Sequence, residues 1–284
     1  LLLFFASATV ILECYLRLLN LPDLTAFDSY LEEYLIPKKQ WTSRTPSQLR
    51  RSSELFEIID KVKSVLDMSN EKLFNQIIFD VMMTLIQLKM SFVDEISNIY
   101  KIIKVILHLF TLSYSKYQPN NPIITINDTY DLSIDTVESV VFWILFQLIY
   151  RFEIVNIHKN TKDNLFELIP IYVSHKIPFL HEFLVKKSDY LNIECLNASA
   201  HCLFCDFFDI EHCIDMWSVG LAFTDSNNYF LSLVIAILIF HLDLYEDDCQ
   251  ISDMNQAIKT FIAKMGQDFL INASALICLN RESI

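Results

Sequence analysis

Apolar residues recur along most of this chain at the spacing of a helix with one buried face. Phe27, Tyr30, Leu31, Tyr34 and Leu35 fall at i, i+3, i+4, i+7 and i+8, with Asp28, Glu32 and Glu33 between them. That spacing predicts a surface helix with a single apolar stripe. Broad apolar faces through Phe56, Ile59, Val62, Phe74, Ile77, Val81, Ile99, Ile103, Ile106 and Phe110 predict further helices over 54–67, 71–90 and 92–113. The run Gln118-Pro119-Asn120-Asn121-Pro122 interrupts them, because proline cannot continue a helix interior. Helical spacing resumes near Ser133.

Two polar stretches divide this pattern. Residues 37–53 hold Pro37-Lys38-Lys39, a Ser/Thr-rich run and Arg50-Arg51-Ser52-Ser53, which reads as a solvated loop leading into a helix capped near Ser47. Its alternative use is as a phosphorylation or docking segment, since Ser52 follows two arginines. Between about Glu153 and Lys162 the apolar density falls and His158, Lys159, Asn160 and Thr161 appear. This is read as a hinge between an N-terminal helical lobe, 1–155, and a C-terminal one, 156–284. The second lobe is predicted helical over 163–176, 178–187, 191–208, 210–222, 227–246, 251–264 and 266–279. No fixed repeat period links these segments, which disfavours a solenoid.

Composition narrows the class. Glycine occurs only at Gly220 and Gly266, so a Gly-rich phosphate cradle is excluded, and hairpins that need φ > 0 turn residues are disfavoured. With 53% apolar residues, the chain is expected to be all-α, and its 284 residues suffice for an ample core without metals or disulfides. The formal net charge of −13 opposes polyanions, so no nucleic-acid partner is expected. Seven scattered cysteines fit reduced thiols and a cytoplasmic protein better than a secreted disulfide framework, and the sequons at Asn127, Asn197 and Asn272 do not reverse this. The apolar segments 1–12 and 229–244 are short for a span and are bounded by charges such as Glu13, Arg17, Asp243 and Glu246. Core helices are therefore expected there, with no integral membrane span. The chain starts without methionine, from which residue 1 is expected to be a cut inside a longer protein.

Few clusters carry chemistry. Cys195, His201, Cys202, Cys205, His212 and Cys213 form the one metal-like group, but Leu203, Phe204, Phe207 and Phe208 surround the thiols, and buried core thiols are the favoured reading. No Gly-x-Ser-x-Gly elbow is present, and Glu246-Asp247-Asp248 reads as solvated surface. No metal or other cofactor is expected.

The residues Ile77-Ile78-Phe79-Asp80-Val81-Met82-Met83-Thr84 resemble the Ile-x-x-Asp-Val-x-Arg-Thr signature of the TBC domain, the helical module of Rab GTPase-activating proteins. Ser115-Lys116-Tyr117-Gln118-Pro119-Asn120-Asn121 stands where that family has Gly-Tyr-x-Gln-Gly-Met-Asn, keeping Gln118 and Asn121. Asp135-x-x-Glu138 leading to Phe142-Trp143, Pro178-x-Leu180, and Ile214-Asp215-Met216-Trp217 follow in the family's order. The resemblance implies a two-lobed fold of about a dozen helices that supplies an arginine and a glutamine in trans to a small GTPase, the arginine contributing on the order of 10³ to 10⁵ in rate. Met83 stands at the arginine position and offers neither charge nor donor. The implied protein is a pseudo-GAP with little or no activity, binding a Rab-type GTPase or sitting within a larger regulatory complex, cytoplasmic or peripheral on endomembranes. Its candidate binding positions are Asp80, Met83, Thr84, Gln118 and Asn121. The alternative is an unrelated helical protein–protein interaction scaffold without GTPase contact, in which Met83 is one member of an apolar stripe.

Overall fold

The computed structural model describes residues 8–45, 48, 53–65, 72–88, 96–112, 114–118, 121–126, 130–152, 171, 173–175, 178–187, 202–206 and 208–222. These residues form eight α-helices: α1 (Ala8–Leu18), α2 (Asp28–Thr42), α3 (Ser53–Val65), α4 (Lys72–Gln87), α5 (Ile96–Leu112), α6 (Ile134–Arg151), α7 (Pro178–Lys187) and α8 (Ile210–Ala222). The fold is helical, as the periodicity predicts. The expected helices at 54–67, 71–90, 92–113, 178–187 and 210–222 correspond to α3, α4, α5, α7 and α8. The hinge at 153–162 and the segments predicted over 227–279 lie outside the described residues. The chain divides into two compact units, Leu1–Ile149 and Tyr150–Ile284.

Three differences from the sequence reading have physical causes. Residues 37–42 are not loop: α2 continues through Pro37, although an interior proline removes a helix hydrogen bond and costs about 3 kcal/mol. The residues around it offset that cost, since Tyr34 and Pro37 are buried and Tyr34, Lys38 and Trp41 all bond to other helices. The cap expected near Ser47 falls on a residue that lies outside the described ones, but Thr45 and Gln48 beside it form a reciprocal pair. Gln48 N donates to Thr45 Oγ1 at 3.3 Å, and Thr45 N donates to Gln48 Oε1 at 2.8 Å, the reciprocal pair of a capping box.

The third difference is a small antiparallel sheet of β1 (Tyr114–Gln118), β2 (Asn121–Ile126) and β3 (Tyr130–Ser133), in the order β1-β2-β3. Gln118 pairs with Asn121, so β1 and β2 are joined over two residues. Glycine scarcity argues against hairpins, yet this one forms; its two connecting residues, Pro119 and Asn120, lie outside the described residues. Ile124 and Leu132 are partners across β2 and β3 and both are buried, which anchors the sheet through one apolar pair. Ser133 then caps α6, its Oγ accepting from Thr136 N at 3.1 Å.

In the first unit, α5 and α6 are the most buried helices. Ile102, Ile103, Ile106 and Phe110 of α5, and Val140, Val141, Ile144 and Leu145 of α6, are almost fully covered. In such helices apolar residues extend round much of the circumference, as in core helices. In the second unit, α8 packs on a turn at 202–206. Trp217 Nε1 donates to Leu203 O at 3.1 Å, and Trp217, Leu203 and Phe204 have no exposure. Leu203 and Phe204 take φ of 52° and 61°, a left-handed pair disfavoured for residues with a Cβ. The helix expected over 191–208 is therefore interrupted by turns in its described part, 202–206.

The first helix ends in a Schellman motif. Leu21 N bonds Leu16 O at 2.7 Å, Asn20 N bonds Arg17 O at 3.0 Å, and Asn20 has φ 57°. Asn20→Gly is expected to stabilise the unit by a few tenths of a kcal/mol, whereas Asn20→Val destabilises it by about 1 kcal/mol or more, because only the branched residue resists the left-handed region. The shift in denaturant midpoint for the two variants measures both effects.

Candidate functional site

Continuing the stripe of Phe27, Tyr30 and Tyr34 by one more turn of α2 brings Lys38 and Trp41 onto the same side of the helix. Lys38 is largely covered, with 14% of its side chain exposed. A buried ammonium must be paired, and this one meets carboxylates from two helices. Its Nζ donates to Asp135 Oδ1 at 2.8 Å and to Glu138 Oε2, both on α6, and lies 3.6 Å from Asp80 Oδ2 on α4. Tyr34, one turn before Lys38, donates to the same Glu138 Oε2 at 2.9 Å. Lys38 Nζ also sits 5.9 Å from the centre of the Tyr34 ring, within reach of its π-face.

Hydrogen bonds fix the surroundings. Gln76 Nε2 donates to Asp80 Oδ1 at 2.8 Å, and Thr84 Oγ1 donates to Asp80 O at 2.7 Å. The same Thr84 oxygen accepts from Trp41 Nε1 at 3.2 Å, which joins α2 to α4. On the other side, Trp143 Nε1 and Ser139 Oγ both donate to Tyr30 O, at 3.0 and 3.2 Å, which joins α6 to α2. Aromatic rings line this seam: Tyr30 with Trp143, centroids 5.1 Å apart, and Tyr34 with Phe142 at 5.3 Å.

Burial dominates the titration of this group. Desolvation pushes the Glu138 carboxyl up to about 7; the Lys38 hydrogen bond and charge pull it down, the Asp80 charge adds to the rise, and the Tyr34 hydrogen bond opposes it. Burial, then the charge of Glu138, raises the Tyr34 phenol. For Lys38, burial alone lowers the ammonium's pKa, but its hydrogen bonds to Asp135 and Glu138 and the charges of Glu138 and Asp80 outweigh it, and the net shift is upward.

The motif positions fare differently. Asp80 and Thr84 of the first motif belong to this junction. Met83 is 1% exposed, a member of the α4 core face with Met82 and Leu85. Gln118 and Asn121 lie on the hairpin, paired through the backbone, and their side chains lie outside what the structure describes. Lys38, Tyr34 and Glu138 were not among the sequence candidates. The composition around Lys38 reads as a polar loop, although its register with Tyr34 marks it as part of the stripe.

The cysteine cluster is partly described. Cys202 and Cys213 are buried and Cys205 is half-buried, and Cys213 Sγ contacts Phe208 O at 3.7 Å. Burial, then a hydrogen bond with Cys213, pushes the Cys205 thiol well above its ordinary value, which disfavours the reactive thiolate. Among the described residues no group of three or more His, Cys, Asp or Glu is arranged to hold a metal ion, while Cys195 and His201 lie outside them. Among the described residues, too, no helix is long and apolar enough to cross a membrane.

No protein family matches the chain, and no curated protein is significantly similar to it.

Removing the ammonium while keeping the stem tests the junction. Lys38→Met is expected to lose about 3–5 kcal/mol, because Asp80 and Glu138 stay buried without their counter-charge. Adding Glu138→Gln should recover part of the loss, read as coupling in a denaturation cycle. Equal losses in the single and double variants would mean that the Lys38 charge is not coupled to Glu138.

Proposed function

We propose that this chain is a helical protein–protein interaction module without arginine-finger chemistry. The supporting observation is the placement of the first motif: Met83 is 1% exposed and Asp80 6%, while Thr84 spends its hydroxyl on Trp41 and the α4 backbone. A finger residue must reach a partner's phosphate, and a side chain packed in a helical core does not. On this reading Asp80 and Thr84 act within the module, holding α4 against α2, Met83 fills its core, and the surface that engages a partner lies elsewhere.

The ordered resemblance to the TBC domain favours a second reading, a pseudo-GAP that binds a Rab-type GTPase or belongs to a larger regulatory complex. On that reading any contact with the GTPase bypasses Met83. Pull-downs of a panel of GTP-loaded Rab proteins, paired with single-turnover GTP hydrolysis, separate the two. Binding without acceleration favours the pseudo-GAP. Absence of binding, together with recovery of one stoichiometric non-GTPase partner, favours the scaffold, and clear acceleration removes both.

Met83→Arg is expected to leave GTP hydrolysis unchanged and to destabilise the fold by about 3 kcal/mol or more, since it buries an unpaired cation. Met83→Leu, which conserves volume, should cost less than about 1.5 kcal/mol. Thermal unfolding of both variants beside the hydrolysis assay checks this. An arginine variant that folds normally and accelerates hydrolysis would overturn the core assignment of Met83.

A further inference from the structure

Three carboxylates face one ammonium where α2, α4 and α6 meet, so negative charge is in excess when all four groups are ionised. Among the described residues, the charged or titratable groups facing Glu138 are Tyr34 and Lys38 from α2, Asp80 from α4, and Asp135 nearly one turn earlier on α6. The two donors converge on a single atom. Tyr34 Oη and Lys38 Nζ both donate to Glu138 Oε2, whereas Glu138 Oε1 is buried and, among the described residues, accepts no hydrogen bond. An ionised carboxylate in that position is compensated only at Oε2, by Lys38 and Tyr34, and Oε1 bears desolvation cost that no donor among the described residues offsets. The same oxygen can take a proton without displacing either donor from Oε2.

We infer that Glu138 Oε1 is a proton-binding site that makes the junction a proton-linked latch, tightest with the proton held and loosened between α6 and α2 when it leaves. The inference stands apart from the choice of partner above.

The direction in pH follows from the two states. The folded carboxyl is raised to about 7 from its ordinary 4.5, so between those values the folded chain holds a proton that the unfolded chain has lost. The stabilisation is complete below 4.5 and is lost as pH rises through about 7. Denaturant titrations of the native chain and of Glu138→Gln across this window test it. The native chain is expected to lose stability relative to the glutamine variant as pH rises, with the ratio of unfolding constants changing by up to about tenfold per pH unit. A ratio independent of pH overturns the proposal.

Labelling the native chain only at the glutamate side-chain carboxyl carbons leaves Asp80 and Asp135 silent and requires no variant to fold. One glutamate carbon titrating near neutrality supports the site, whereas titration of every glutamate in the ordinary carboxylate range overturns it. Amide protection over Val137 to Phe142, corrected for the intrinsic base catalysis of exchange, should fall above the midpoint; protection independent of pH there would overturn the latch.

Discussion

Lys38 reaches from the middle of α2 to carboxylates on α4 and α6, and removing its ammonium leaves Asp80 and Glu138 largely covered without their counter-charge. The positions of three helices are thereby made conditional on one another. Apolar packing alone would let α2 slide along the seam at modest cost, since volume-conserving rearrangements are tolerated in cores. A multiply bonded ammonium does not permit sliding, because the Asp135 and Glu138 bonds and the Asp80 contact hold in only one register. Tyr34 reinforces that register from the adjacent turn, and the indoles of Trp41 and Trp143 reinforce it on either side.

Such a junction is not a large net source of stability. Desolvating a lysine and two carboxylates, Asp80 and Glu138, consumes most of what their attraction returns, and a well-packed apolar substitute is often as stable. Its contribution is to geometry, and it explains why α2 tolerates Pro37 one residue before Lys38. The helix is held on both sides of the missing hydrogen bond by side chains anchored elsewhere, so the break need not propagate. The apolar mass around it, in α5 and α6, supplies the driving force, while the polar junction selects one arrangement.

How much of this was legible depended on the kind of signal. Helices with a strong period, such as α4 and α5, were readable because burial repeats along their own sequence. The polar continuation of α2 was hidden because Pro37, Lys38 and Lys39 resemble loop composition, and only tertiary partners make a lysine a core residue. The hairpin is not legible in glycine content, because glycine is one of several residue types that turns accept. Glu138 stood in plain view beside Asp135, but its environment depends on α2, more than ninety residues earlier in the chain. The motif containing Asp80, Met83 and Thr84 was found as a pattern, yet its letters do not say which face of α4 each side chain takes.

The three tryptophans of the chain are distributed in a way that gives it built-in optical reporters. Trp41 and Trp143 flank the Lys38 junction with partly exposed indoles bonded to a hydroxyl and a carbonyl. Trp217 is sealed in the second unit against Leu203. Two emitters therefore watch one folding unit from its polar seam while the third watches the other from a dry interior. Indole emission shifts with the polarity around the ring, so intrinsic fluorescence carries separable signals from the two halves without any label.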